Sequence, residues 1–229
     1  MKQILCLLLC LICFCVFLPV SAERADPVAD MTFFGESTTA HLALRGGIDP
    51  ARVWTNAAGT VRLDSGILSR TLKDPADGSP CTVRELAAKY RPQVLVLSFG
   101  LNGIMGSSAH PDTYLGNYRR LIDAIREASP DTRFVIQSVC PVADAGHQTD
   151  WKFSVPPGEI NRKLTVLSDR LREFCRNDPT LTFADTASCL TDADGFLRGD
   201  LTTDGIHLTG AAYVLILDAL RQSMNVSNA

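Results

Sequence analysis

The stretch Gln93-Val-Leu-Val-Leu-Ser-Phe99 is an almost unbroken run of apolar residues in which β-branched valine alternates with leucine. Such a run is typical of a strand that is buried on both faces of a parallel sheet. A strand with one solvent-exposed face instead alternates apolar and polar side chains. Met31-Thr-Phe-Phe34, Arg133-Phe-Val-Ile-Gln-Ser138 and Leu181-Thr-Phe-Ala184 show similar patterns. The sequence therefore predicts four strands of one sheet.

Segments with helical periodicity lie between and after these strands. Apolar residues recur at helical spacing over residues 82–90, from a cap at Asp112 or Thr113 to residue 128, over residues 157–175 and over residues 209–224. Alternating strands and helices imply right-handed crossovers and a parallel sheet with helices on both faces. We predict an α/β fold, a three-layer α/β/α sandwich with a central parallel sheet, in a single domain over residues 23–229.

The first 22 residues have the pattern of a secretory signal peptide. Lys2 precedes an apolar run over residues 4–18, and Ser21-Ala22 supplies small residues at a cleavage position. This run is shorter than the roughly 20 residues that a helix needs to cross a bilayer. We expect cleavage after Ala22, a secreted product and no stable membrane insertion; an uncleaved anchor is the alternative.

Cysteine usage and charge limit the remaining possibilities. The mature chain would keep Cys81, Cys140, Cys175 and Cys189, which permit two disulfides in three pairings or can be free, buried residues. Metal-ligand spacings such as CxxC are missing from the mature chain, so we expect no metal site. The net charge is −3 and the basic residues are scattered, which argues against a nucleic-acid partner.

Polar residues follow two of the predicted strands and precede the last helix, where the loops of a parallel sheet form ligand sites. Ser37 lies in a turn that would expose its hydroxyl, although serine is also a common helix cap. Asp204 and His207 are three residues apart, so the carboxylate could orient an imidazole that takes a proton from serine. Asn102 and Gly59 could donate hydrogen bonds to an oxyanion, or could simply form turns.

These four segments occur in the order Ser, Gly, Asn and Asp/His, and together they resemble the signature blocks of the SGNH hydrolases, also called the GDSL lipase/esterase family. The resemblance implies a flavodoxin-like sandwich with Ser37 as nucleophile, His207 as general base and Asp204 as its orienting partner. It also implies an oxyanion hole made by the Ser37 N–H, the Gly59 N–H and the Asn102 side chain.

Two positions depart from the family pattern. The usual Gly-Asp-Ser is Gly35-Glu36-Ser37 here, and the usual Gly-x-Asn-Asp is Gly100-Leu101-Asn102-Gly103. Neither position is a predicted nucleophile, base or oxyanion donor. The loss of both aspartates leaves open how the loop after the predicted strand 93–99 is held.

We therefore expect a secreted, monomeric serine esterase that needs no cofactor and forms an acyl-enzyme on Ser37. Short acyl groups, such as acetyl on a carbohydrate, are favoured because no long apolar insertion could shelter a fatty chain. The alternatives are a lysophospholipase or lipase-type acylhydrolase, and a non-catalytic carbohydrate- or surface-binding protein on the same fold. We expect His41 and His147 on the surface and His110 as a helix cap.

Overall fold

Seven strands are present in the part of the chain that the computed structural model describes, residues 26–149 and 151–226. The predicted signal peptide lies outside the described residues. The strands are β1 (Met31–Gly35), β2 (Val53–Trp54), β3 (Leu72–Lys73), β4 (Pro80–Cys81), β5 (Val94–Ser98), β6 (Arg133–Gln137) and β7 (Leu181–Ala184). Five of them form a sheet in the order β2-β1-β5-β6-β7, in which each pair of adjacent strands is parallel. The four predicted strands are confirmed.

Seven α-helices flank the sheet within the same described ranges. They are α1 (Ser37–Ala40), α2 (Leu42–Arg45), α3 (Val83–Tyr90), α4 (Ile104–Ala109), α5 (Pro111–Ala128), α6 (Pro157–Arg176) and α7 (Gly210–Val226). None of the described helices is long and apolar enough to cross a bilayer.

Helix starts follow local chemistry, with one correction. Thr82 and Glu85 form a reciprocal capping box at the start of α3, as the predicted boundary requires. The predicted cap of α5 at Asp112 or Thr113 is wrong, because the helix starts earlier, at Pro111. Proline suits the first turn of a helix, where its fixed φ fits and its missing N–H has no partner to lose. His110 occupies the cap position, but its side chain makes no capping hydrogen bond.

Two apolar layers pack on opposite faces of the sheet. On one face Phe34, Leu95 and Leu97 contact the apolar sides of α3, α5 and α6. On the other face Phe33, Val94 and Val96 pack with residues of α2 and α7. Successive strand residues thus point to opposite sides and are buried on both. The predicted three-layer α/β/α sandwich is confirmed.

All four cysteines of the described chain are free thiols. Cys140 and Cys175 are buried, whereas Cys81 and Cys189 are half-buried. Burial raises the pKa of both the Cys140 and the Cys175 thiol to about 12. Of the two alternatives left by the sequence, the structure therefore has free cysteines in place of disulfides.

Candidate active site

Ser37 lies at the carboxyl edge of the sheet, directly after β1. Gly35 ends the strand beside β5, so closely that a Cβ there would overlap the Ser98 carbonyl oxygen. The chain then turns, and Ser37 becomes the first residue of α1 while Glu36 holds the cap position. The Ser37 side chain is therefore not a helix cap. Its Oγ lies 3.3 Å from Nε2 of His207, a residue 170 positions away in the sequence.

Asp204 and His207 lie together in the turn before α7. Oδ2 of Asp204 is 2.6 Å from Nδ1 of His207, and Oδ1 accepts the N–H groups of His207 and Ile206 at 2.7 and 2.9 Å. Burial alone would raise the pKa of Asp204, but the hydrogen bonds from His207 and Ile206 lower it below its usual value. The carboxylate is thus kept ionised and fixes the imidazole with Nε2 towards Ser37.

The turn that carries this pair is anchored on both sides. The hydroxyl of Thr202 donates to the His207 carbonyl at 2.9 Å and accepts the Gly205 N–H at 2.9 Å. The Gly205 carbonyl in turn accepts the Ala143 N–H at 2.8 Å. Because the loop after β6 binds the turn in this way, the histidine sits on a fixed support rather than on a free loop.

The imidazole of His41 packs against that of His207. Their ring centroids are 4.9 Å apart and their planes make an angle of 51°. His41 is half-buried, and its Nδ1 has no hydrogen-bond partner among the described residues. Burial lowers the pKa of His41, and the charges of His207 and Arg45 lower it further. The expected surface position is therefore wrong for His41, because the turn between α1 and α2 brings it over the site.

His147 is exposed, as predicted, and pairs with Asp144.

Asn102 lies at the same edge, after β5, and its position depends on Glu36. The Glu36 carboxylate accepts the N–H groups of Gly100, Leu101 and Asn102 at 2.8 to 3.1 Å. The side-chain amide of Asn102 donates to Oγ1 of Thr60 at 3.1 Å. The question left by the missing family aspartates is thereby answered, since the longer Glu36 reaches the loop itself. Sequence reasoning missed this role of Glu36, although the substitution at a motif position was the available signal.

Gly59 lies in a turn beside α1, with a left-handed φ of +65°. A Cβ built on Gly59 would lie 3.7 Å from that of Ala40, so the turn packs on the helix that begins at Ser37. However, the Gly59 N–H donates to the Asn56 carbonyl at 3.0 Å. In this conformation Gly59 forms the turn and does not offer its N–H to an oxyanion.

The site thus combines a hydroxyl, an imidazole and a carboxylate in hydrogen-bond sequence, with an amide side chain on the neighbouring loop. Serine hydrolases use groups in this order, with a base that is oriented by a carboxylate and deprotonates the hydroxyl. Its place at the carboxyl ends of β1 and β5 is where parallel α/β sheets bind ligands.

Comparison with known proteins gives the family. The profile of the GDSL-like lipase/acylhydrolase family matches residues 33–215. The chain belongs to this family, and it is an ester hydrolase. Among curated proteins no sequence matches it.

Solved structures share the fold at low sequence identity. A GDSL-like lipase from Bacteroides thetaiotaomicron is 17% identical, with 88% of this chain and 92% of that chain covered and a TM-score of 0.55. A candidate acylhydrolase from Bacteroides fragilis is 18% identical, with 87% and 88% covered and a TM-score of 0.60. At these identities the likeness concerns the fold alone.

Proposed function

We propose that the protein is a serine esterase that cleaves carboxylic esters through a covalent acyl-enzyme on Ser37. The observation that carries the proposal is the chain of two contacts from Ser37 Oγ to His207 Nε2, at 3.3 Å, and from His207 Nδ1 to Asp204 Oδ2, at 2.6 Å. A contact of 3.3 Å is slightly long, as is common for such pairs before substrate binds.

The chemistry proceeds in two halves. His207 takes the proton of Ser37 as Oγ attacks the ester carbonyl, and then gives that proton to the departing alcohol. Water then gives a proton to His207 as it attacks the acyl-enzyme carbonyl, and His207 returns that proton to Ser37 Oγ as the acid is released. Asp204 stabilises the imidazolium in both halves.

The oxyanion is stabilised by two donors in this proposal. The Ser37 N–H belongs to the first turn of α1, where backbone N–H groups have no partner within the helix. The Asn102 amide is the second donor, held by Glu36 and Thr60. A Gly59 contribution would require its N–H to leave the Asn56 carbonyl.

We further propose that the enzyme is secreted and acts on short acyl groups, such as acetyl esters of carbohydrates. The signal pattern over residues 1–22 supports export. The half-exposed His207 side chain supports an open site, which gives little apolar shelter to a fatty chain.

Hydrolysis of 4-nitrophenyl esters from acetyl to palmitoyl, by a chain of residues 23–229, tests this function. We expect turnover to be highest at acetyl, and Ser37→Ala to lower kcat by at least about 10⁴-fold. Ser69→Ala, which removes an exposed hydroxyl that binds only the local Gly66 carbonyl among the described residues, is the matched control and keeps wild-type turnover. Full activity in Ser37→Ala would overturn the nucleophile, and a maximum at long chains would overturn the short-acyl assignment.

A further inference from the structure

Arg62 lies beside the candidate oxyanion donor. Thr60 binds the Asn102 side chain, so the segment from Thr60 to Arg62 runs next to the turn of Asn102 and Gly103. A Cβ built on Gly103 would lie 2.7 Å from Nε and 2.9 Å from Cζ of Arg62. The guanidinium therefore rests directly on the backbone of the residue that follows Asn102.

The absence of a side chain at position 103 makes this contact possible. Gly103 has a φ of +86°, which favours glycine, and it stands where the family pattern has aspartate. An aspartate there would displace the guanidinium from the backbone and offer it a carboxylate as partner. With glycine, Arg62 loses that internal partner and keeps its place next to Asn102.

The charge of Arg62 is not neutralised within the described part of the chain. Arg62 is exposed and makes no hydrogen bond or ion pair there, in contrast to Arg70, Arg198 and Arg221, which all bind aspartates. The positive charge of Arg62 acts on Glu36, whose pKa it lowers. That carboxylate is buried and already accepts three N–H groups, so it leaves the guanidinium donors free.

We infer that Arg62 is a substrate-binding residue that recognises an anionic group, a carboxylate or a phosphate, close to the ester bond. Guanidinium binds both groups through paired N–H donors, and such charge-assisted bonds are stronger than neutral ones. The inference deepens the proposed function and rests on it, since it names the class of ester. The inference places an unpaired guanidinium beside the candidate active site of a chain whose net charge is −3.

Pairs of substrates that match in size and differ in charge test whether the enzyme prefers esters with an anionic group. On the acyl side, 4-nitrophenyl hemisuccinate is compared with 4-nitrophenyl butyrate; on the alcohol side, 4-acetoxybenzoate is compared with its methyl ester. We expect the wild type to prefer the anionic member of at least one pair in kcat/KM. In Arg62→Gln this preference falls about tenfold, and in Arg62→Lys it falls less, because the charge remains.

Arg133→Gln is the matched control, because Arg133 is an exposed arginine at the opposite, amino-terminal end of β6. It removes the same charge and keeps the preference. The preference should also weaken as salt is raised from 0.05 to 0.5 M, since an exposed ion pair is screened. Equal kcat/KM within both pairs, or a preference that survives Arg62→Gln, would overturn the inference.

A binding measurement separates this inference from the proposed function. The Ser37→Ala protein is titrated by calorimetry with the anionic ester that the wild type prefers, alone and combined with Arg62→Gln, and we expect Kd to rise about tenfold in the double variant. Hydrolysis of neutral esters without any preference for anions would defeat the inference alone. Arg62-dependent binding without hydrolysis of any ester would defeat the esterase proposal alone. Equal Kd values would overturn the role of Arg62.

Discussion

At the scale of single residues, the imidazole of His41 packs against that of the proposed general base. The two rings are 4.9 Å apart, and the lowered pKa of His41 favours its neutral form beside an imidazole that must become charged. A neutral ring in this place confines His207 to the orientation that joins Ser37 and Asp204. The sequence did contain a signal, because residues four apart on a helical turn share a face and His41 is four residues after Ser37.

We predict that the ring of His41, rather than its titration, matters for turnover. His41→Ala should lower kcat about tenfold with little change in KM, because small errors in the position of a base are costly. His41→Phe should recover most of the loss, since it restores a ring without nitrogen. Steady-state kinetics on 4-nitrophenyl acetate measure both, with His110→Ala as a control at an exposed histidine. Wild-type kcat in His41→Ala would contradict a positioning role.

At the scale of elements, the loop between β5 and α4 is held by one buried carboxylate. Burial raises the pKa of Glu36 to about 7, although its hydrogen bonds from Gly100, Asn102 and Leu101, and the nearby Arg62, act in the opposite direction. The folded protein therefore binds the proton of Glu36 more tightly than the unfolded chain, whose value is near the usual 4.5. The stability that Glu36 contributes is complete below pH 4.5 and is lost as the pH rises through about 7.

The raised pKa of Glu36 predicts how the free energy of unfolding depends on pH. Between pH 4.5 and 7, the free energy of unfolding of the wild type should fall relative to that of Glu36→Gln by on the order of 3 kcal/mol. The glutamine variant has no such titration, and its amide group faces the loop N–H groups, which should make it less stable overall by about 1–3 kcal/mol.

Urea unfolding at several pH values measures both effects. Glu173→Gln, at an exposed glutamate on α6, should keep the wild-type slope. A constant difference between the wild type and Glu36→Gln across this pH range would show that the carboxylate does not titrate there.

At the scale of the whole molecule, elements with local signals were predictable and those that depend on distant partners were not. The apolar runs of β1, β5, β6 and β7 were sufficient to predict these strands, because each strand is buried on both faces. The edge strand β2 has two residues and pairs only with β1, and β3 is defined by its pairing with β4. No local pattern specifies such short pairings.

The same distinction holds for the site. The motifs named Ser37, Asp204 and His207, and the fold brings these three residues together. The Glu36 contacts with Gly100, Leu101 and Asn102 depend on how two separate loops meet. Spacing along the chain therefore could not show them.

For the chain of residues 23–229 we also predict four reactive thiols after denaturation. Alkylation of unfolded, unreduced protein comprising residues 23–229 should modify all four cysteines, as counted by mass spectrometry. The thermal midpoint should be the same with and without reductant, since no cross-link restricts the unfolded chain. Fewer than four modified cysteines, with a midpoint that falls on reduction, would indicate disulfides instead.

The two halves of the proposed catalytic centre come from opposite ends of the chain. Ser37 follows the first strand, whereas Asp204 and His207 precede α7, whose Tyr213 donates to the Thr38 carbonyl at 2.7 Å. Arg45 likewise donates to the Leu208 carbonyl at 2.9 Å. A chain still emerging from the ribosome therefore carries its nucleophile without a base. The proposed centre becomes complete only when α7 and the turn before it pack against α1 and α2.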